Sequence, residues 1–243
     1  DGIYTADPNK IQQARLLQRI SYGEVLEMAR LGAQVLHPRS VELARQYKIK
    51  LRVRNTFKPE HEGTVIDAGG EMELFRTISG VAVDEDQASV AIMDVPDQPG
   101  IAGKITQALA DHNIAMDMIM QSFHPTIGHN SIAFTVNDAD LDQTIKLLNG
   151  LKEELGAKEV VADPDSAKVS LIGAGLTGQP WIAARLFSTL GSNSINIKMI
   201  ASTEMKITCV VARSQAQKAA KLIHEAFELH QEPGQTAGAR SST

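Results

Sequence analysis

The chain has 243 residues, of which 43% are hydrophobic, and this length exceeds a typical domain of roughly 100–150 residues, so two or three small domains are expected. Its formal net charge of −5 provides no basic footprint, which argues against nucleic acid and anionic membranes and favours a small-molecule or protein partner. The sequence has one cysteine and lacks both an apolar run of transmembrane length and a signal-peptide pattern, which predicts a soluble cytoplasmic protein. Because the sequence opens on Asp1, we expect a fragment.

The first eight residues, Asp1-Gly-Ile-Tyr-Thr-Ala-Asp-Pro8, predict an exposed loop. Two acids, a glycine and a proline are typical of a segment that presents carboxylates and backbone amides. Such loops hold nucleotides or metals in some enzymes, and the alternative is an ordinary surface turn.

The elements that follow indicate the end of an α/β domain over residues 1–58. Ser21 with Glu24 three residues later forms a capping-box pattern, which predicts a helix over 22–31. A second helix is predicted over 41–47, and the alternation over 50–54 predicts a strand.

A polar stretch rich in glycine and charge predicts a linker over 59–74. Strands are predicted over 74–83 and 88–93. We assign the strand segment 75–87 to the second of two modules that follow.

The two modules occupy residues 88–163 and 164–231, before a tail over 232–243 that we expect to be disordered. Module one is predicted as strand 88–94, helix 100–111, strands 114–123 and 130–136, helix 138–154 and strand 157–162. Module two is predicted as strand 167–173, helix 179–190, strands 194–201 and 205–212, and helix 214–229.

These modules are copies of one unit. Pro99-Gly-Ile-Ala is echoed by Pro180-Trp-Ile-Ala, an offset of 180 − 99 = 81, and Ile114 is matched by Ile195 at 195 − 114 = 81. The second copy lacks its last strand, which would leave an unpaired sheet edge. We therefore predict that the strand before module one completes module two, so that module one is inserted into module two.

A glycine motif, Gly173-Ala-Gly175-Leu-Thr-Gly178, matches the dinucleotide-binding spacing after a strand. The equivalent turn in module one, Asp94 to Gly100, is acidic, and the strand after the helix returns in a hairpin. We therefore interpret this motif as a structural turn.

The turn before the first helix of each module is a candidate binding site, because a helix N-terminus offers free N–H groups to a carboxylate. Asp97 beside these amides could receive an ammonium group, and Gln121 and Asn196 could add amide contacts. The alternatives are a helix cap for Asp97, a local backbone contact for Asn196, and ordinary strand alternation for the methionines at 116, 118 and 120.

Four motifs resemble successive motifs of aspartate kinase: Asp1 to Pro8, Ile20 to Ala29, Gly32 to Pro38 and Leu51 to Asn55. The turn at Asp97 and the segment Ala201-Ser-Thr-Glu-Met-Lys-Ile extend the resemblance to about residue 231. The βαββαβ pattern of the modules is similar to the ACT domain, a module that senses amino acids. The resemblance thus implies an α+β fold class: tandem ferredoxin-like ACT domains, the first inserted into the second, after the C-terminal piece of an α/β amino-acid-kinase domain.

The resemblance implies that Mg-bound ATP would lie in an incomplete site near the N-terminal loop. The implied contacts are Tyr4, Thr5, Ala6, Asp7, Pro8, Asn9 and Val35. The family often has Arg at position 9 and Lys at position 34, where this chain has Asn9 and Gln34, so two cations that could pair with phosphate are absent.

The phosphate loop Lys-Phe-Gly-Gly of aspartate kinases does not occur in the chain. Phosphoryl transfer depends on positioning and charge stabilisation of the γ-phosphate. We therefore assign no catalytic residue and no metal ligand, and we expect the chain to be inactive alone.

In feedback-controlled aspartate kinases, lysine or threonine binds between ACT domains of two chains, which implies a dimer or a complex with a catalytic subunit. The implied effector contacts are Asp97, Gln98, Pro99, Gly100, Ile101, Ala102, Ala115, Met116, Asp117, Gln121, Ile182, Ala183, Asn196, Ile197, Thr203 and Glu204. Ala115 stands where Asn is common, and Thr203 where Ser is common.

Two functions remain. The first is the C-terminal part of an aspartate kinase, which makes 4-phospho-L-aspartate from ATP and L-aspartate under feedback control. The second is a separate, non-catalytic regulatory subunit, with Met72 at the place where such subunits begin. Residues 1–58 favour the first.

Overall fold

A computed structural model describes residues 1–33, 35–69, 77–122, 128–176 and 178–232 of the chain. The chain forms two compact units. One unit comprises Asp1–Asp84 together with Lys168–Thr243, and the other comprises Glu85–Ala167. Within the described ranges, no helix is long and apolar enough to cross a membrane.

The N-terminal segment contains a three-stranded sheet in the order β1-β3-β2. Its strands are β1 (Arg19–Ser21), β2 (Leu51–Val53) and β3 (Thr64–Asp67). Strand β3 lies parallel to β1 and antiparallel to β2. The helices α1 (Tyr22–Arg30) and α2 (Pro38–Gln46) pack against each other.

Helix α1 begins where the capping box predicts. The Ser21 hydroxyl accepts a hydrogen bond from the Glu24 backbone N–H, and the Glu24 carboxylate accepts one from the Ser21 N–H. Helix α2 begins at Pro38, three residues earlier than predicted, because His37 caps it and Pro38 occupies its first turn. The predicted start at residue 41 was therefore wrong.

The predicted linker over 59–74 was wrong for its central residues, which form β3. Thr64 and Ile66 are fully buried, and the breaker-rich flanks hid this short strand in the sequence. Arg19 donates two hydrogen bonds to the Asp67 carboxylate, at 3.0 and 2.6 Å, and these bonds hold the pKa of Asp67 below its usual value. Residues 70–74 lie outside the described residues, and so does Met72.

Two long strands replace four predicted ones. Strand β4 runs over Gly80–Pro96, and β7 runs over Glu159–Ile172. An acidic run interrupts the apolar pattern of each strand, Asp84 to Asp86 in β4 and Asp163 to Asp165 in β7. These runs stay extended with exposed or half-buried side chains, so polarity did not mark a turn. Positions 75 and 76 of the predicted strand 75–87 lie outside the described residues.

The unit Glu85–Ala167 is a complete βαββαβ module. It contains α3 (Ile101–Asp111), β5 (Met116–Gln121), β6 (His129–Asn137) and α4 (Leu141–Leu151), with a sheet order of β5-β6-β4-β7. Both β4 and β5 lie antiparallel to β6. Buried Phe134, Leu109 and Leu148 belong to its core, as the apolar spacing of the two helices requires.

The other unit contains a second module. Its elements are α5 (Pro180–Ser192), β8 (Met199–Ser202), β9 (Lys206–Val211) and α6 (Ala216–Ala226), beside the end of β7. The start of β4 lies next to β7, where the Ser79 N–H donates to the Ile172 carbonyl at 2.8 Å. The strand before module one therefore closes the sheet edge of module two, and the predicted fold class is confirmed. The predicted tail lies outside the described residues from 233 onward.

Candidate functional site

The N-terminal loop borders a cavity of about 640 Å³ in the larger unit. This volume is within the range of small-molecule sites. Most of the residues that the sequence analysis assigned to ATP line this cavity: Tyr4, Ala6, Asp7, Pro8, Asn9 and Val35.

Thr5, the seventh of these residues, does not line the cavity. Its side chain is buried, with 1% exposure. Its hydroxyl accepts a hydrogen bond from the Arg15 N–H at 2.9 Å and lies 2.8 Å from the Nε2 atom of His224. The Thr5 side chain therefore faces the interior, and its assignment to the ATP site stays a prediction.

Asp7 and Asn9 form a local turn at the mouth of the cavity. The Oδ1 atom of Asp7 accepts hydrogen bonds from the Asn9 backbone N–H and side-chain amide, at 2.9 and 3.1 Å. The Asp7 carbonyl accepts from the N–H of Lys10 and of Ile11. Asn9 therefore fixes the carboxylate of Asp7, whose other oxygen remains able to face a cation or a ribose hydroxyl.

Two cations that the sequence analysis did not assign also line the cavity, Lys10 and Arg54. The Lys10 side chain is exposed and makes no hydrogen bond or ion pair within the described residues. The Arg54 guanidinium is oriented by the backbone carbonyls of Pro59 and His61. Lys10 directly follows Asn9, so the sequence alone could have assigned its charge to the site. Arg54 reaches the cavity only because the sheet brings the end of β2 beside the loop, which the sequence does not show.

The cavity wall also includes residues from the second module: Val81, Ala82, Val83, Gln217 and Ala220. Among the described residues, no group of three or more His, Cys, Asp or Glu side chains is arranged to hold a metal ion. Burial raises the pKa of the Cys209 thiol to about 12, which keeps it protonated and unreactive.

The acidic turn of module one leaves the N-terminus of α3 without a side-chain cap. Gly100 is the N-cap residue, with φ of 98°, and no side-chain hydrogen bond caps the helix among the described residues. The Asp97 N–H donates to the Gly128 carbonyl, while its exposed carboxylate has no partner within the described ranges. The alternative role of Asp97 as a helix cap is therefore wrong.

Module one places its predicted effector residues at two ends of its sheet. Pro96, next to Asp97, pairs with His129 of β6, and Gln121 pairs with Ile132, only 132 − 129 = 3 residues along that strand. Met116 pairs with Val136, 136 − 129 = 7 residues away, which corresponds to roughly 24 Å. The module thus gathers the turn and Gln121 at one end, and Ala115, Met116 and Asp117 at the other.

The second module repeats this division. The Leu176 N–H donates to the Glu204 carbonyl, so the hairpin with Thr203 lies beside the loop before α5. Asn196 and Ile197 precede the other end of β8. The Asn196 side chain is exposed and has no hydrogen-bond partner in the described part of the chain.

Individual side chains differ in what they can contact. Ile182 is fully buried and can offer only backbone atoms, and its assignment as an effector contact stays a prediction. The Thr203 hydroxyl accepts weak hydrogen bonds from the N–H groups of Met205 and Lys206, which gives it a turn-forming role. Thr177, in the candidate turn before α5, lies outside the described residues. The remaining predicted contacts are exposed or half-buried: Gln98, Pro99, Ile101, Ala102, Ala183 and Glu204.

The glycine motif at Gly173 has a packing role. A Cβ atom on Gly173 would collide with the Thr77 carbonyl and the Ile78 backbone. Strand β8 pairs antiparallel with β9, whereas a dinucleotide-binding unit requires a parallel crossover. Both observations agree with the interpretation of the motif as a structural turn.

Models of two protein families match the chain. The amino acid kinase family matches residues 1–55, and the ACT domain matches residues 89–150 and 169–227. These segments contain the cavity loop and the two repeated modules.

Curated relatives match nearly the whole chain. An aspartokinase of Thermus thermophilus is 41% identical over 233 residues, which cover 94% of this chain and 56% of that protein. Aspartokinase 2 of Bacillus subtilis is 36% identical, with 96% and 56% covered. The chain thus spans a little over half the length of the relatives that it matches.

Solved structures share the fold. The aspartate kinase of Clostridium acetobutylicum is 25% identical with a TM-score of 0.83, and the match covers 93% of this chain and 52% of that one. The ligand-free regulatory subunit of aspartate kinase from Thermus thermophilus is 38% identical with a TM-score of 0.59, covering 63% and 99%. The chain therefore belongs to the aspartate kinase family, with the end of an amino-acid-kinase domain followed by tandem ACT domains.

Proposed function

We propose that the chain is the nucleotide-loop and regulatory part of an aspartate kinase, which transfers the γ-phosphate of ATP to the side-chain carboxylate of L-aspartate. One observation carries the nucleotide assignment: six residues assigned to ATP line the same cavity. In support, an E. coli aspartokinase III that is 26% identical was solved with aspartate and ADP.

The residues of the cavity fit a nucleotide with its magnesium ion. Lys10 and Arg54 supply cations for phosphate oxygens, in place of the cations absent at positions 9 and 34. Asp7, held by Asn9, is the carboxylate available to a hydrated Mg²⁺. When bound, ATP supplies the transferred phosphoryl group, and the residues of this chain bind and orient the nucleotide.

Isothermal titration calorimetry with MgATP tests this assignment. Asp7→Asn should weaken binding roughly ten-fold if the carboxylate contacts the hydrated ion, because one charge-assisted contact is lost. Asp111→Asn, an exposed carboxylate in the other unit, is the matched control and should not change the affinity. Undetectable binding of MgATP by the wild-type chain at millimolar concentration would refute the assignment.

The two modules support a regulatory function with an amino-acid effector, lysine or threonine. The N-terminus of α3 suits the α-carboxylate, and the Asp97 carboxylate suits the α-ammonium group, because neither has a side-chain partner in the part of the chain that the structure describes. Ala115 to Asp117 lie at the start of β5, at the end of the sheet away from the Asp97 turn. A ligand that contacts both the turn and these residues therefore has to combine the turn of one module with the strand start of another. This division favours a site shared between ACT domains, in a homodimer or with a catalytic subunit.

Calorimetry with lysine and with threonine tests the effector assignment. Asp97→Ala should weaken binding of the active effector by roughly 1.5–3 kcal/mol, or about 10- to 150-fold. Asp142→Ala, an exposed acid on α4 of the same module, serves as the control. An unchanged affinity in Asp97→Ala would remove Asp97 from the site, and no response to either amino acid would remove the effector assignment.

A separate regulatory subunit is the second candidate function. The solved regulatory subunit of aspartate kinase from Thermus thermophilus favours it, because the match covers 99% of the length of that subunit. The match of residues 1–55 to the amino acid kinase family favours the first function, because a pure sensor has no need for a nucleotide loop. MgATP binding decides between them.

A further inference from the structure

Helix α6 of the second module forms one wall of the cavity beside the N-terminal loop. Gln217 and Ala220 line the cavity. His224 follows Ala220 by four residues, one helical turn, and so lies on the same face of the helix. Its side chain is fully buried.

His224 contacts the N-terminal loop through Thr5. The Nε2 atom of His224 lies 2.8 Å from the Oγ1 atom of Thr5, across 219 positions of the sequence. Thr5 also exchanges backbone hydrogen bonds with Arg15 and Val81: its N–H donates to the Arg15 carbonyl, and its carbonyl accepts from the Val81 N–H. Thr5 is therefore tied to the interior through its backbone and its side chain.

The Thr5 backbone packs closely against Gly80 at the start of β4. A Cβ atom on Gly80 would come within 2.6 Å of the Thr5 carbonyl oxygen. Because the backbone is packed this closely, the hydrogen bonds of Thr5 largely determine how far the residue can move. The neighbours of Thr5 in sequence, Tyr4 and Ala6, both line the cavity.

The His224 imidazole is suited to hold the Thr5 hydroxyl. Burial, with the nearby charges of His230 and Arg15, lowers its pKa to about 4, so the ring is neutral at pH 7. Its Nδ1 atom has no partner among the described residues. Thr5 is thus its one side-chain hydrogen-bond partner there, and loss of the contact leaves a buried polar ring unpaired.

We propose that His224 is a positioning residue of the nucleotide site. By holding Thr5, it fixes the positions of the cavity-lining residues Tyr4 and Ala6. A helix of the second ACT domain thereby tunes nucleotide affinity. This inference rests on the proposed nucleotide function. His224 does not line the cavity and acts only through Thr5.

Two pairs of substitutions test the contact by MgATP titration of the whole chain. His224→Leu and Thr5→Val remove the hydrogen bond, and each should weaken MgATP binding roughly five-fold or more. His224→Gln keeps a terminal amide and Thr5→Ser keeps the hydroxyl, and both should bind within about two-fold of wild type. The double variant Thr5→Val/His224→Leu should be no weaker than the worse single variant.

Hydrogen exchange followed by mass spectrometry supplies a readout that does not need ATP. In His224→Leu, the segment 4–11 should exchange roughly five-fold faster, while α3 in the other unit keeps its wild-type rate. If His224→Leu does not fold, the Thr5→Val and Thr5→Ser pair supplies the same comparison.

The outcomes separate the two hypotheses. Faster loop exchange without MgATP binding by the wild-type chain shows that His224 holds the loop, but it refutes the nucleotide function and, with it, the tuning of nucleotide affinity. MgATP binding that is equal in wild type, His224→Leu and Thr5→Val, with unchanged exchange over 4–11, overturns the positioning role and leaves the nucleotide function standing.

Discussion

The Nζ atom of Lys206, at the start of β9, lies 2.9 Å from the Oε2 atom of Glu27 on α1. Beside this pair, the Met205 side chain packs over Gly23, the second residue of the same helix. The hairpin that carries the candidate effector residues Thr203 and Glu204 therefore rests on the capped helix of the kinase segment. Both charged side chains are about one-fifth exposed, so the pair is only partly screened by water.

Glu27→Gln should lower the free energy of unfolding by about 1–2 kcal/mol, because it leaves the Lys206 ammonium partly buried without its partner. Urea denaturation measures this change. Glu42→Gln provides the control, since its pair with Arg30 is more exposed and should cost less than about 0.5 kcal/mol. Equal losses in the two variants would contradict a special role for the Lys206 pair.

Protonation of the buried His224 imidazole should lower the free energy of unfolding in acid. Its folded pKa of about 4 lies below the ordinary histidine value of 6.5, so the unfolded chain binds the proton more readily between these values. The contribution is fully present above pH 6.5 and is lost as pH falls towards 4, by on the order of 3 kcal/mol. The wild-type chain should therefore lose more stability over this window than His224→Gln, as thermal unfolding at several pH values would reveal; parallel curves would contradict the buried neutral imidazole.

Gly173→Ala should destabilise the second module by more than about 2 kcal/mol, because its methyl group would collide with the Thr77 carbonyl. Gly150→Ala is the control, since its methyl group on exposed α4 would meet no atom within 4 Å and should stabilise by up to about 1 kcal/mol. Thermal unfolding compares them. A neutral Gly173→Ala variant would remove the packing explanation of the glycine motif.

Lys10→Gln should weaken MgATP binding roughly three- to ten-fold, and the effect should shrink as salt is added, because the side chain is exposed. Titration at two ionic strengths measures both effects. Lys146→Gln, on α4 of the other unit, is the matched control. A loss that is independent of salt would indicate a structural rather than an electrostatic contribution.

Much of the fold was readable in the sequence because its signals are local or repeated. The capping box of Ser21 and Glu24 places the start of α1, and the 81-residue offset predicts two copies of one module. The missing strand was found by counting strands, since an open sheet edge is unfavourable. Strand β3 was missed because Thr64 to Asp67 gain their burial from β1 and β2, which are distant in sequence.

The candidate site was predictable as a loop but not as a cavity. Adjacent residues such as Tyr4 and Asp7 were found together, whereas Arg54 and the wall from α6 depend on tertiary packing. The inward turn of Thr5 and its bond to His224 could not be predicted, because no local pattern links positions 219 residues apart. The separation of Gln121 from Ala115 likewise follows from strand register.

Hydrogen exchange of the whole chain with and without MgATP tests the central claim most directly. The predicted result is slower exchange over residues 4–11, with no change in α3 of the other unit. Unchanged exchange over 4–11 at saturating MgATP, or protection confined to another segment, would contradict the assignment of the N-terminal loop as the nucleotide site.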